Sequence, residues 1–182
     1  MRDYDHSNVQ RLAYAGLFTA LITCATLIRL PVPATNGYVN LGDGVIFAAA
    51  ALLGPFAGVV GGVGSALADL LAGYSHYALI TLIIKGAMGL VAGVGLHYYH
   101  SRRARMRSVA PRSMLDRSVA GNALLFSLCE LIMVLGYFFF EMVMYNAAAA
   151  AGALLPNVGQ AVAGIILGCV FVPAIRRIVS RM

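Results

Sequence analysis

Six apolar runs joined by short connections dictate what this chain can become. They are Leu12 to Ile28, Gly44 to Leu53, Phe56 to Ala72, Tyr77 to Tyr99, Ser118 to Phe140 and Val158 to Ile175. A helix needs roughly 20 mainly apolar residues to cross about 30 Å of hydrocarbon. Six such passes consume nearly all of the 182 residues. At 60% hydrophobic residues and a mean hydropathy of +0.83, the chain also carries more apolar surface than one water-soluble core can hide. The reading is an all-α membrane protein, a single integral domain over residues 1–182 with six transmembrane helices and no soluble module of its own. The second run is short, and Gly54-Pro55 after it reads as a tight turn, because proline cannot continue the preceding helix.

Basic residues orient the bundle. Arg2 and Arg11 precede the first span, six arginines (Arg102, Arg103, Arg105, Arg107, Arg112 and Arg117) fill a loop expected at 100–117, and Arg176, Arg177 and Arg181 end the chain. An even number of spans separates these segments, so the positive-inside rule puts them and both termini in the cytoplasm. The net charge of +6 is then a consequence of topology and argues for no nucleic acid. Cys24, Cys129 and Cys169 fall inside spans without C-x-x-C spacing, so they suggest neither a disulfide framework nor a metal site. Span one resembles a secretory signal only superficially, since Arg29-Leu30-Pro31-Val32-Pro33 lacks a small-residue cleavage site.

Three outside loops follow, at Arg29 to Asp43, Gly73 to His76 and Glu141 to Pro156. The first, with Pro31, Pro33, Asn36, Gly37, Asn40 and Gly42, has the turn chemistry of a lid over the helix ends.

Ionisable groups inside hydrocarbon cost several kcal/mol unless paired or wetted, so their depth is informative. Here they gather in the outer half. Asp69 lies near the outer end of span three, and Lys85 sits about 12 Å below the outer end of span four at 1.5 Å per residue. On span five Glu130, Tyr137 and Glu141 share a stripe, as do Asn157, Gln160, Gly164 and Gly168 on span six. These spacings predict an outward-facing pocket walled by Asp69, Lys85, Glu130, Glu141, Asn157 and Gln160, with Tyr74, Tyr77 and Tyr137 for stacking and Asn40 contributed by the lid. Two other readings stay open. Lys85 with Asp69 or with Glu130 would make an ion pair serving assembly alone, and the tyrosines would make an interfacial belt. Small residues at four-residue spacing, Gly16, Ala20 and Cys24, give span one a smooth face for a neighbouring helix, inside or outside this chain.

The chain lacks a phosphate-loop lysine after Gly61-Gly62-Val63-Gly64-Ser65, so it does not hydrolyse ATP by itself. Ser65 has no histidine at its own level to activate it, which disfavours an enzyme. No cofactor is indicated. A solitary proton-coupled carrier using Asp69, Glu130 and Lys85 is the competing class.

The stretch Gly37-Tyr38-Val39-Asn40-Leu41-Gly42-Asp43-Gly44-Val45-Ile46-Phe47, followed by Leu53-Gly54-Pro55, is more specific. So are Gly64 to Tyr74, Thr81 to Gly86, Gly136-Tyr137-Phe138, Glu141 and Pro156-Asn157 to Gln160. On these the chain resembles the substrate-binding (S) component of energy-coupling factor (ECF) vitamin transporters, and within them the riboflavin-type branch and transporters for hydroxymethylpyrimidine or pyridoxine. The resemblance implies a six-helix protein of the prokaryotic plasma membrane that captures a vitamin from outside. It implies partners too: a transmembrane coupling protein and two ATPases, with a toppling motion that carries the vitamin inward. In that family an A-x-x-x-A motif on the first helix touches the coupling protein; the matching register here is Gly16-x-x-x-Ala20.

Overall fold

A computed structural model describes residues 8–32, 37–106 and 114–179. Helix α1 (Asn8–Leu27) leads into a two-stranded antiparallel hairpin, β1 (Arg29–Val32) and β2 (Gly37–Asn40), in which Arg29 pairs with Asn40 and Val32 with Gly37. Then come α2 (Gly42–Leu53), a 3-10 turn (Gly54–Phe56), α3 (Ala57–Leu71), α4 (Ser75–Met106), α5 (Met114–Met144) and α6 (Ala147–Val179). The lid expected over 29–43 is thus an ordered β-hairpin flanking residues 33–36, which lie outside the described residues.

Local chemistry explains the breaks. Gly54 has φ +60°, a left-handed conformation open to glycine, and Pro55 follows at the start of the 3-10 turn, so α2 stops there. Gly73, at φ +81°, makes the turn between α3 and α4. Asn146 starts α6 by accepting the Ala149 N–H on its side-chain oxygen at 2.9 Å, which satisfies one of the orphan donors of a helix start. Two expected loops are corrected by this pattern. The outside loop at Glu141 to Pro156 shrinks to Tyr145 and Asn146, because the Ala147 to Ala151 run takes up its helix propensity as the first turns of α6. The loop at 100–117 is helical up to Met106 and again from Met114.

From α2 onward, helices consecutive in the chain run in opposite directions. On α3 and α4, Gly58 lies over Gly86 and Leu90, Gly62 over Leu82, Gly89 over Ala57 and Gly93 over Gly54, a descending register that makes the two antiparallel. Tyr77 reaches Glu141 and Thr81 reaches Tyr137, while Gly95 abuts Leu125, so α4 and α5 are antiparallel too. Gly164 faces Glu130 and Gly168 faces Phe126, which reverses α6 against α5. Asp43 and Phe47 rise with Gly164 and Gly168, so α2 parallels α6 and hence opposes α3. The chain therefore turns back at Gly54-Pro55.

Four stretches are long and apolar enough to cross a membrane: Gly42–Leu71, Ser75–Tyr98, Val119–Met144 and Ala147–Ile178. The runs expected as spans two and three share the first of these, and α1, with Gln10 and Arg11 in its first turn, falls outside the set. Facing is that of a protein in lipid. Val59, Val63, Leu67, Leu124, Leu128, Leu131, Val162 and Ile166 point outward, whereas Asp43, Asp69, Lys85, Asn122, Glu130 and Gln160 are buried. At the centre Phe47 and Phe126 stack at 4.2 Å between ring centroids, with Ile22, Ile46, Met88, Leu96 and Met133 packed around them.

Candidate substrate-binding site

The end of the bundle that carries the hairpin encloses a cavity of about 380 Å³. Four helices and β2 line it. Asn40 comes from β2, Asp69 from the last turn of α3, and Tyr74 from the turn that follows. His76, Tyr77 and Thr81 come from α4, Tyr137 and Glu141 from α5, Tyr145 from the α5–α6 turn, and Ala149, Ala153, Pro156, Asn157 and Gln160 from α6. Helical spacing puts Tyr77 and Thr81 on one stripe of α4 and Tyr137 and Glu141 on one stripe of α5. The two stripes meet as Tyr77 Oη donates to Glu141 Oε1 at 3.3 Å and the Thr81 and Tyr137 hydroxyls share a hydrogen bond of 2.9 Å. Aromatic rings crowd the mouth: Tyr77 stands edge-on to Phe140 at 5.1 Å, His76 lies 4.8 Å from Tyr77, and the Arg29 guanidinium lies over Tyr74 at 5.1 Å.

The floor is an amide pair. Asn40 Nδ2 donates to Gln160 Oε1 at 2.9 Å and the Asn40 backbone N–H donates to the same oxygen at 3.4 Å. Asn40 Oδ1 accepts the Gly42 N–H at 3.0 Å, and Gln160 Nε2 donates to Asp43 Oδ2 at 2.6 Å. Beneath the floor Lys85 Nζ forms a salt bridge with the other oxygen of Asp43, both side chains being almost fully buried. The ammonium lies 5.7 Å from the centre of the Tyr137 ring. Glu130 completes the cluster. It is 1% exposed, neither of its oxygens has a hydrogen-bond partner among the described residues, and it lies within electrostatic reach of both Asp43 and Lys85. Both Glu130 and the Asp43 Cβ lie against Gly164, and a methyl there would press on both.

Of the residues singled out in the sequence, Asn40, Asp69, Tyr74, Tyr137, Glu141, Asn157 and Gln160 share this one cavity. Lys85 and Glu130 were expected on its wall and lie under its floor instead. The partner of Lys85 is Asp43, whereas the ion-pair alternative had named Asp69 or Glu130. Asp43 escaped notice because the sequence reads it as the last loop residue, whereas it occupies the first turn of α2. Thr81 and Tyr145 were also missed, and the spacing of Thr81 from Tyr77 on an otherwise apolar helix was the available signal. On α1, Gly16, Ala20 and Cys24 all face outward, and nothing lies within 4 Å of where a Gly16 side chain would begin.

Comparison with known proteins gives this arrangement a context. A family model described as the S component of ECF-type riboflavin transporters matches residues 6–177. The chain is 31% identical over 180 residues to a thiamine precursor transporter, HmpT, of Lactococcus lactis subsp. cremoris, covering 97% of this chain and 94% of that one. It is 37% identical over 150 residues to an uncharacterised protein of Pyrococcus woesei, covering 82% of this chain and 89% of the other. The chain thus belongs to the S-component family of ECF-type riboflavin transporters, as a membrane-embedded, substrate-binding transport subunit that works with a vitamin and an ECF module and is not an enzyme.

Proposed function

We propose that the cavity between the hairpin, α4, α5 and α6 binds a vitamin precursor built on a single aromatic ring, of the thiamine-precursor kind, with pyridoxine and riboflavin as the alternatives. The observation that carries this reading is the combination of tyrosine walls with an amide and carboxylate lining in a cavity of about 380 Å³, toward the small end for ligand sites. The near full-length similarity to a thiamine precursor transporter supports it. Asn40, Asp69, Tyr74, Tyr137, Glu141, Asn157 and Gln160 contact the ligand, while Lys85 and Glu130 act from below. Six spans carry this pocket to the outer face, with both termini in the cytoplasm. The alternation of helix directions supports that count, as does the clustering of basic residues at the start of α1, around the α4–α5 connection and at the end of α6.

Calorimetry on the purified protein tests the ligand class. Hydroxymethylpyrimidine is expected to bind with a Kd of about 1 μM or tighter, from outside in right-side-out vesicles and not in inverted ones. Binding of riboflavin without either single-ring compound would overturn the single-ring reading, and failure of all three would reject the vitamin site altogether.

The energy source lies in partners, a transmembrane coupling protein with two ATPases, and the exposed stripe Gly16, Ala20 and Cys24 is its docking face. Small residues let a partner helix come close in lipid, where tight packing is the main attraction between helices. Gly16→Leu with Ala20→Leu is expected to abolish ATP-driven uptake while leaving ligand affinity within about twofold, since neither new side chain faces the bundle interior. Loss of binding as well would show that the stripe supports this chain's own fold.

A further inference from the structure

The hydrogen bonds under the cavity determine which atoms it has left to offer. Side-chain amides usually leave oxygen and nitrogen interchangeable, because the two ends look alike. Here both are settled by groups with one role only. The Gly42 backbone N–H donates and never accepts, so the end of Asn40 that faces it is oxygen, and Nδ2 is turned to Gln160. The Asn40 backbone N–H in turn makes the end of Gln160 that faces it oxygen, and that oxygen already accepts two donors. Gln160 Nε2 then meets Asp43, whose other oxygen holds the Lys85 ammonium, so this carboxylate acts as an acceptor. Each amide nitrogen carries two hydrogens and uses one among the described residues.

We propose that the floor recognises its ligand through acceptor atoms: the second N–H of Gln160 and the second N–H of Asn40 are held for a ring nitrogen or carbonyl oxygen. The wall offers the opposite. Glu141 lines the same cavity, and its Oε2 is buried without a hydrogen-bond partner among the described residues while Oε1 is taken by Tyr77. It accepts an amino or hydroxyl hydrogen from another edge of the ring. The ligand is therefore a flat heterocycle with an acceptor edge and a donor substituent, and Asp43 with Lys85 are positioning residues that keep the floor's donors pointed one way. This inference rests on the single-ring reading of the substrate given above.

The test uses ring analogues on the full-length protein in detergent, read by calorimetry. Hydroxymethylpyrimidine is compared with its two analogues in which one ring nitrogen is replaced by C–H, and pyridoxine with its benzene counterpart. At least one nitrogen-to-C–H replacement is expected to weaken binding tenfold or more, the size of one lost hydrogen bond. In either Gln160→Met or Asn40→Leu the parent and that analogue should bind alike, because one of the two variants removes the donor that tells them apart. If a ring compound binds and every C–H analogue matches its parent within twofold in the wild-type protein, the donor floor is wrong while the single-ring reading stands. If none of the ring compounds binds, both fall together. The wild-type comparison decides the matter even if either variant fails to fold.

Discussion

Replacing Lys85 by Met is expected to destabilise the protein by about 3–5 kcal/mol, the cost of breaking a buried ion pair from one side. The ammonium is the only cation among the described residues beneath the floor, where Asp43 and Glu130 are 1% exposed. Without it two buried carboxyl groups within electrostatic reach of each other have no cation beside them. Asp43 would then move, and Gln160 would lose the partner that holds its amide. Ligand affinity should fall by tenfold or more as the floor disorders, although Lys85 does not line the cavity. The double variant Lys85→Met with Asp43→Asn should recover much of the stability, because it removes the orphaned charge along with its partner. Chemical unfolding of the purified variants gives the first number and calorimetry the second. A Lys85→Met protein as stable as wild type, binding with equal affinity, would show that the buried pair supports neither fold nor site.

The second large effect belongs to the α3–α4 seam, the most extensive helix interface in the bundle. Gly93→Val is expected to cost about 3 kcal/mol, at the upper end for overpacking, and to lower the yield of monodisperse protein sharply. A side chain at position 93 would run into the Gly54 carbonyl and the Pro55 nitrogen, both backbone atoms at the turn where the chain reverses, so no rotamer change relieves the clash. Gly62, whose Cβ would stand 2.6 Å from the Leu82 carbonyl, is bound by the same constraint. Gly16→Val serves as the control, since nothing lies within 4 Å there. Equal unfolding midpoints for the two variants would mean that the seam has slack.

How much of this was legible in the residues depends on the range of the interaction. Helix positions followed from apolar runs because lipid facing is a property of each segment alone, and the cavity residues followed from polar stripes for the same reason. Depth also brought Lys85 and Glu130 close to that cavity. Sequence spacing did not place them under the floor, because that depends on the register of α2 against α6, and a single polar residue at the start of α2 gives no stripe to read. Asp43 is such a residue. The outer loop before α6 was misjudged because alanine runs and Pro156 look like a linker, whereas a proline within a membrane helix is tolerated when neighbouring groups take over the freed carbonyl. The hairpin's turn residues were visible, but the pairing of Arg29 with Asn40 that brings Asn40 onto Gln160 was not, because strand register is set by contacts distant in sequence.

The reversal at Gly54-Pro55 also gives the protein two hydrophobic heights. The outward apolar strip of α3, from Val59 to Leu71, rises only about 18 Å, while that of α5, from Leu124 to Val143, rises about 29 Å. A bilayer of uniform thickness matches the second and overshoots the first. Lipid next to α3 must thin or the whole bundle must lean, at a fraction of a kcal/mol per Å of mismatch. The acyl chain length of the surrounding membrane thereby acts on the tilt of this subunit, a mechanical input that reaches it through lipid alone.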